Sequence, residues 1–223
     1  MSRSRRPTKM KVEFGVIVRD KRIGPLLPLV NNWRKAMERY SALHEDSSDA
    51  GYFYNERPNI SFLAAGAWMA GWGALEEYVS EKFRAGAKGS GRTDLYLVNT
   101  DGHAVIEAKH VWMTSKASGG GLRNTVKRSI KRAVADARAI RNVDAKFGCV
   151  FFVPYFSIKK HSRDLKNYND AIRSYIERCT SVPGVDMWAW SFPKPNRRQE
   201  AGKDNKNYYP GVLIGFKGVK YWG

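Results

Sequence analysis

The spacing of apolar and polar positions changes several times along the chain, and each change marks an element. Lys11 to Val18 alternates with period two, as a half-buried strand does. Pro25 and Pro28 interrupt the next stretch, and Asn31 or Asn32 is placed to cap a helix from Trp33 to about Leu43. Asp46 to Gly51 reads as a loop. Then, with Asn59 or Ser61 as cap, Trp68, Trp72, Leu75, Val79 and Phe83 recur at helical spacing. That spacing predicts a long helix with Trp68 and Trp72 in the core and a glycine-rich exit before Gly91. Two strands follow, Thr93 to Asn99 and His103 to Trp112, joined at Asp101-Gly102, a tight-hairpin signal. Ser115 to Gly121 reads as a flexible loop and Asn124 to Asn142 as a second helix. Phe147 to Phe156 is continuously apolar, as a central buried strand is. Tyr168 to Arg178 gives a third helix. Val185 to Phe192 and Gly211 to Phe216 give two more strands, with a polar surface loop between them. The order is that of a mixed α/β fold, a central sheet flanked by helices.

Charge adds a partner to this picture. The chain carries 39 Lys+Arg against 21 Asp+Glu, a net +18 in 223 residues. Such an excess repels itself unless something anionic is bound. Residues 1–11 form a basic arm, and residues 12–223 read as one domain. Two cysteines, Cys149 and Cys179, are too few for a disulfide framework and read as reduced, partly buried thiols. The N-terminal residues lack an apolar signal core, and the apolar stretch Ile60 to Trp72 is too short to span a bilayer. A cytoplasmic location follows, or a nuclear one in a eukaryotic host.

The chemistry concentrates on the predicted hairpin. Glu107 and Lys109 lie two apart on one strand and so share a face. If Asp101 and Gly102 are the central turn residues, Asp94 falls opposite Lys109 and Tyr96 opposite Glu107. Asp94 and Glu107 are then diagonal neighbours about 5–8 Å apart. Three other acid-x-Lys triplets, at Asp144, Asp164 and Asp204, sit in polar surroundings. Glu107-Ala-Lys109 alone is embedded in an apolar strand, where charge is costly unless paired or metal-bound. Two carboxylates and a lysine suit phosphodiester hydrolysis, in which a hard cation neutralises phosphate charge and activates water. The competing reading is a strand ion pair of Asp94 with Lys109, with Glu107 incidental.

Gly91-Arg92-Thr93-Asp94-Leu95-Tyr96-Leu97 followed by Val105-Ile106-Glu107-Ala108-Lys109 resembles the PD-(D/E)xK, or restriction-endonuclease-like, superfamily. Its pattern is a helix with an acidic residue, a strand bearing Asp, a strand bearing (D/E)-x-K, then a helix and a strand. The resemblance covers about residues 60–156. Thr93 stands where proline is frequent. It implies Asp94 and Glu107 as metal ligands, Lys109 as catalytic lysine, and Mg²⁺ as cofactor with Mn²⁺ able to substitute. It also implies a carboxylate on the first core helix, Glu76 in preference to Glu77. The implied activity is endonucleolytic hydrolysis of DNA ahead of RNA, and a homodimer is compatible with it.

Arg92, Lys116, Arg123, Lys127, Lys131 and Arg138 make a basic surface suited to a phosphate backbone. His110 points away from Glu107 and reads as packed. Tyr208, Tyr209, Tyr221 and Trp222 read as packing against the last strands. Two rivals stand beside the nuclease: a catalytically inactive, basic nucleic-acid-binding or structural protein on the same fold, and an adaptor for an acidic partner or membrane surface. The chain contains no amphipathic helix of the membrane-surface kind, which ranks the adaptor last.

Overall fold

A computed structural model describes residues 10–44, 49–84, 87–162, 164–198, 200–201 and 206–223. Residues 1–9 of the expected basic arm, Asp46 of the expected loop and Asp204 lie outside the described residues, as does the side chain of Phe83.

In chain order, β1 (Phe14–Val18) leads through a short 3-10 turn to α1 (Leu27–Ala42) and α2 (Glu56–Met69). Three long strands follow: β2 (Gly73–Arg84), β3 (Ala87–Asn99) and β4 (Gly102–Thr114). Then come α3 (Gly119–Arg138), β5 (Ala145–Ser157), a single turn α4 (Ile158–His161) and α5 (Leu165–Thr180). The chain closes with β6 (Met187–Ser191), β7 (Glu200–Ala201), β8 (Asn207–Tyr208) and β9 (Val212–Lys220). The open mixed sheet runs β1-β6-β9-β5-β4-β3-β2, and the short β7–β8 ribbon attaches to β5. Among the described residues only β4 and β5 pair in parallel, with α3 as their crossover.

Each face of the sheet has its own core. Trp33 of α1 and Leu63 of α2 pack on Leu95, Ile106, Phe147 and Phe151. Val126 of α3 and Ile172 of α5 pack on Val150, Phe152 and Trp188. β5 feeds both cores by alternation, which explains its unbroken apolar run. Both cysteines are free and buried. Tyr208 is buried, and Tyr209, Tyr221 and Trp222 pack against core residues. Among the described residues no helix is long and apolar enough to cross a membrane.

Four local expectations are corrected. α1 begins at Leu27, because Pro28 sits in its first turn, where a missing N–H costs nothing. The long helix through Phe83 is two elements. α2 is capped by Asn55 and ends at Met69, the chain passes Gly71 in a left-handed conformation, and β2 begins at Gly73. Trp68 is therefore 60% exposed rather than core, and Leu75 and Val79 lie exposed on a strand. The glycines of Ser118–Gly121 open α3 instead of forming a loop, since the Ser118 hydroxyl caps the Gly121 N–H at 3.1 Å. Last, the β3–β4 turn is centred on Thr100-Asp101, so Asn99 pairs with Gly102 and Tyr96 with Val105. Asn99 Oδ1 accepts the Asp101 N–H at 2.9 Å, and Asp144 accepts the His103 N–H at 2.8 Å. Gly102 has φ 120°, and a Cβ there would stand 2.4 Å from the Asp144 carboxylate. The turn thus needs glycine as the first residue of β4, not within the loop.

Candidate active site

The site forms where β3 and β4 part. Their pairing runs from Asn99–Gly102 to Leu95–Ile106 and ends there. The next β3 residue is Asp94, whose Oδ2 accepts the Ala108 N–H at 2.7 Å. A side chain thus occupies a place in the ladder that backbone would otherwise fill, and Asp94 is pinned beside Glu107 and Lys109.

β2 contributes by an irregularity. Glu76, opposite Leu95, accepts a hydrogen bond from Ser61 of α2 at 3.0 Å. Strict alternation would turn Tyr78 to that same side. Glu77 instead takes φ 52°, and the Tyr78 ring stacks on Tyr96 with centroids 4.7 Å apart. Ser80 follows onto Thr93 at 2.7 Å, and Lys82 reaches Glu107 Oε1 at 2.8 Å. One left-handed residue resets the strand's faces and delivers Lys82 to the site.

Burial governs the electrostatics. Glu107 is 3% exposed. Burial first, and then the Asp94 charge, push its carboxyl up to about 7, while Lys82 and Lys109 pull the other way. Burial also raises Asp94, against the Ala108 N–H and the two lysines. Lys109 sits above the usual lysine value. Burial pulls it down, but Asp136 of α3, bonded at 3.0 Å, together with Glu56 and Asp94, outweighs that pull. Glu56 is itself raised, by burial and then by Asp94, Asp136 and Glu77, against the pull of Lys109. A cleft of about 220 Å³ opens among Glu56, Arg57, Ser61, Glu76, Glu77 and Asp94.

Asp94, Glu107 and Lys109 are thus brought together, although the register sets Asp94 toward Glu107 and not opposite Lys109. Glu76 is corrected: it lies on an exposed strand position and not on a helix, because α2 has already ended. The carboxylate that α2 brings is Glu56, in its first turn. Asn55-Glu56-Arg57-Pro58 carries the signal, a capping Asn followed by an acid and a proline in the first turn. Lys82 had no signal, since its place depends on the left-handed Glu77. Arg92 is exposed and lies 3.6 Å from Glu77. Lys116 precedes α3, and Arg123, Lys127, Lys131 and Arg138 are exposed along it. His110 is packed as expected. Its Nε2 lies 3.3 Å from the Tyr52 carbonyl, and burial lowers it to about 4.

Among the described residues no three His, Cys, Asp or Glu side chains converge tightly enough to cage a metal. The side chains able to supply ligands are Asp94 and Glu107. Mg²⁺ commonly uses one or two carboxylates and keeps several waters. A half-buried and a buried carboxylate, the charge of Asp94 raising Glu107, are the field a cation relieves. No family model, no characterised protein and no solved structure matches the chain.

Proposed function

We propose that the protein is a metal-dependent nuclease with a restriction-endonuclease-like core, hydrolysing phosphodiester bonds of DNA ahead of RNA. The observation that carries this reading is the pair of half-buried Asp94 and buried Glu107, each raised from its ordinary carboxylate value, beside Lys109. The order α2, β2, β3, β4, α3, β5 supports it, with an acid on the helix, Asp on one strand and Glu-Ala-Lys on the next. It differs from the sequence pattern by the added strand β2.

A divalent ion held by Asp94 and Glu107 would neutralise phosphate charge and lower the pKa of a water. The chain's own groups supply the rest. The Ala108 N–H fixes Asp94, so one ligand is oriented beforehand. Lys109, raised and paired to Asp136, stays an ammonium, so it serves a developing phosphate charge rather than accepting a proton. Glu56, which lines the cleft, would hold or pass a proton there. The exposed basic residues of α3 offer the backbone a track.

A second reading is favoured by one contact. Lys82 already neutralises Glu107, with side chains 12% and 4% exposed, as in a structural ion pair. An inactive, basic nucleic-acid-binding protein would keep that pair. Cleavage of plasmid, linear and single-stranded DNA, and of RNA, in Mg²⁺, Mn²⁺ or EDTA separates the two. The nuclease cuts only with metal, and Glu107→Ala and Lys109→Ala both abolish cutting. Salt-sensitive binding without cutting, equal in both variants, establishes the inactive form.

A further inference from the structure

A second cleft, of about 300 Å³, opens on the α3 side of the sheet. Its aromatic wall is built across three strands. The Tyr78 ring stacks on Tyr96 at 4.7 Å, and Tyr96 lies 5.7 Å from the His103 ring, with its hydroxyl on His103 Nδ1. The row ends on the edge strand with Tyr78, 42% exposed. Large aromatic rings left open to water in a stacked row are uncommon on a surface that needs only solvation.

The opposite wall is the segment 140–143 after α3, tied to β2 by a backbone bridge between Ile140 and Lys82. Cations surround this wall. Arg141 and Asn142 are exposed on it. Lys146 donates to the Ile140 carbonyl, and Lys220 donates to the Val143 carbonyl at 2.8 Å. Burial first, and then the neighbouring charges of Arg141 and Lys220, hold Lys146 below the usual lysine value, so three cations gather beside a cleft that Glu81 also lines. Rings beside concentrated cations match a planar base joined to a phosphate. The volume lies at the lower end of small-ligand pockets, which suits one base and excludes a duplex. The cleft also adjoins the candidate site. Val105 lines it, two residues from Glu107 on one face of β4, a separation of about 7 Å.

We infer that this cleft binds one unpaired nucleobase of a single-stranded nucleic acid, stacked on the Tyr78–Tyr96 row with its phosphate toward Arg141, next to the Glu107 site. The inference rests on the nuclease reading only for placing that base on the strand to be cut.

Binding is measured in EDTA, where no cutting intervenes, by fluorescence anisotropy with labelled oligothymidylate and with a blunt duplex of equal length. Tyr78→Ala should weaken the single strand about 5- to 150-fold, the range of one base–aromatic stack, and leave the duplex unchanged. Tyr78→Phe should bind as wild type. A single strand bearing 5-iodouracil should crosslink to Tyr78 or Tyr96. Unchanged single-strand binding by Tyr78→Ala overturns the inference, as does equal loss on single strand and duplex. Competition by free thymidine monophosphate as effective as by the oligomer also overturns it, reassigning the cleft to mononucleotides. A separate Mg²⁺ arm reads cleavage. Wild type that binds single strands through Tyr78 yet cuts nothing refutes the nuclease and leaves the cleft standing.

Discussion

Glu107→Gln distinguishes a metal site from a structural ion pair, because the two make opposite predictions for stability. Burial and the Asp94 charge raise the Glu107 carboxyl from 4.5 to about 7, with the Lys82 attraction already included. At ~1.4 kcal/mol per unit, ionising it in the folded protein costs about 3 kcal/mol. The folded value lies above the unfolded one. The contribution of Glu107 is therefore fully present below pH 4.5 and is lost as pH rises through about 7. Glutamine carries no charge to bury. Relative to wild type, the variant should gain up to about 3 kcal/mol between pH 4.5 and pH 8 in EDTA, or roughly 6–12 °C in melting temperature. Mg²⁺ at a hundredfold its Kd should restore about 2.7 kcal/mol to wild type and nothing to the variant. Urea unfolding followed by tryptophan fluorescence, at pH 5 to 8 with and without Mg²⁺, reads both effects. A variant less stable than wild type at pH 8 by about 3–5 kcal/mol, the loss from breaking a buried pair, would refute the reasoning and leave Glu107 as a partner for Lys82.

If α2 supplies the acid of the site, Glu56→Gln should lower the cleavage rate about 100- to 10,000-fold at neutral pH, as loss of a positioned acid–base group does. Glu76→Gln should change it less than threefold, and the reverse ranking would reinstate Glu76. Lys127→Ala with Lys131→Ala should flatten the salt dependence of DNA binding by about two phosphate contacts, measured as the slope of log affinity against log salt. An unchanged slope places the backbone track elsewhere.

How much of this was legible in sequence depended on whether local pattern or tertiary context decided each element. β5 is apolar on both faces, so its run marked it, and the faces of β4 follow from strict alternation through Glu107 and Lys109. The α2–β2 boundary misled because Trp68, Trp72, Leu75 and Val79 happen to fall at helical spacing. Trp68 is exposed on α2, Trp72 packs half-buried between the elements, and Leu75 and Val79 are exposed on the edge strand, so their shared spacing carries no information about burial. The better signals were the breaks themselves, Asn55 with Pro58 at one end and Gly71 with Gly73 at the other. The triad survived the register error because a shift of two residues preserves the face. Glu56 and Lys82 reach the site only after α2 has docked on the sheet and Glu77 has turned β2 over, and neither event is written in local propensity.

Glu77 is where backbone strain and site geometry meet. An L-residue held left-handed costs about 1–2 kcal/mol, and glycine avoids this while giving back roughly 0.5–1 in chain entropy. The carboxylate offsets little. Arg57 lies 3.7 Å away and Arg92 3.6 Å away, and Glu77 is 42% exposed, a setting in which ion pairs are worth about 0–1 kcal/mol. Glu77→Gly should therefore be neutral or stabilising by up to about 1 kcal/mol by these backbone magnitudes, with the Tyr78 and Lys82 contacts kept. Glu77→Val keeps the backbone cost and adds β-branched crowding, so it should lose stability in urea unfolding. Part of that loss is the Lys82–Glu107 pair, because a strand that regains strict alternation withdraws Lys82 from Glu107. If glycine and valine lose stability equally, the carboxylate itself carries the site, and the left-handed turn is incidental to the delivery of Lys82.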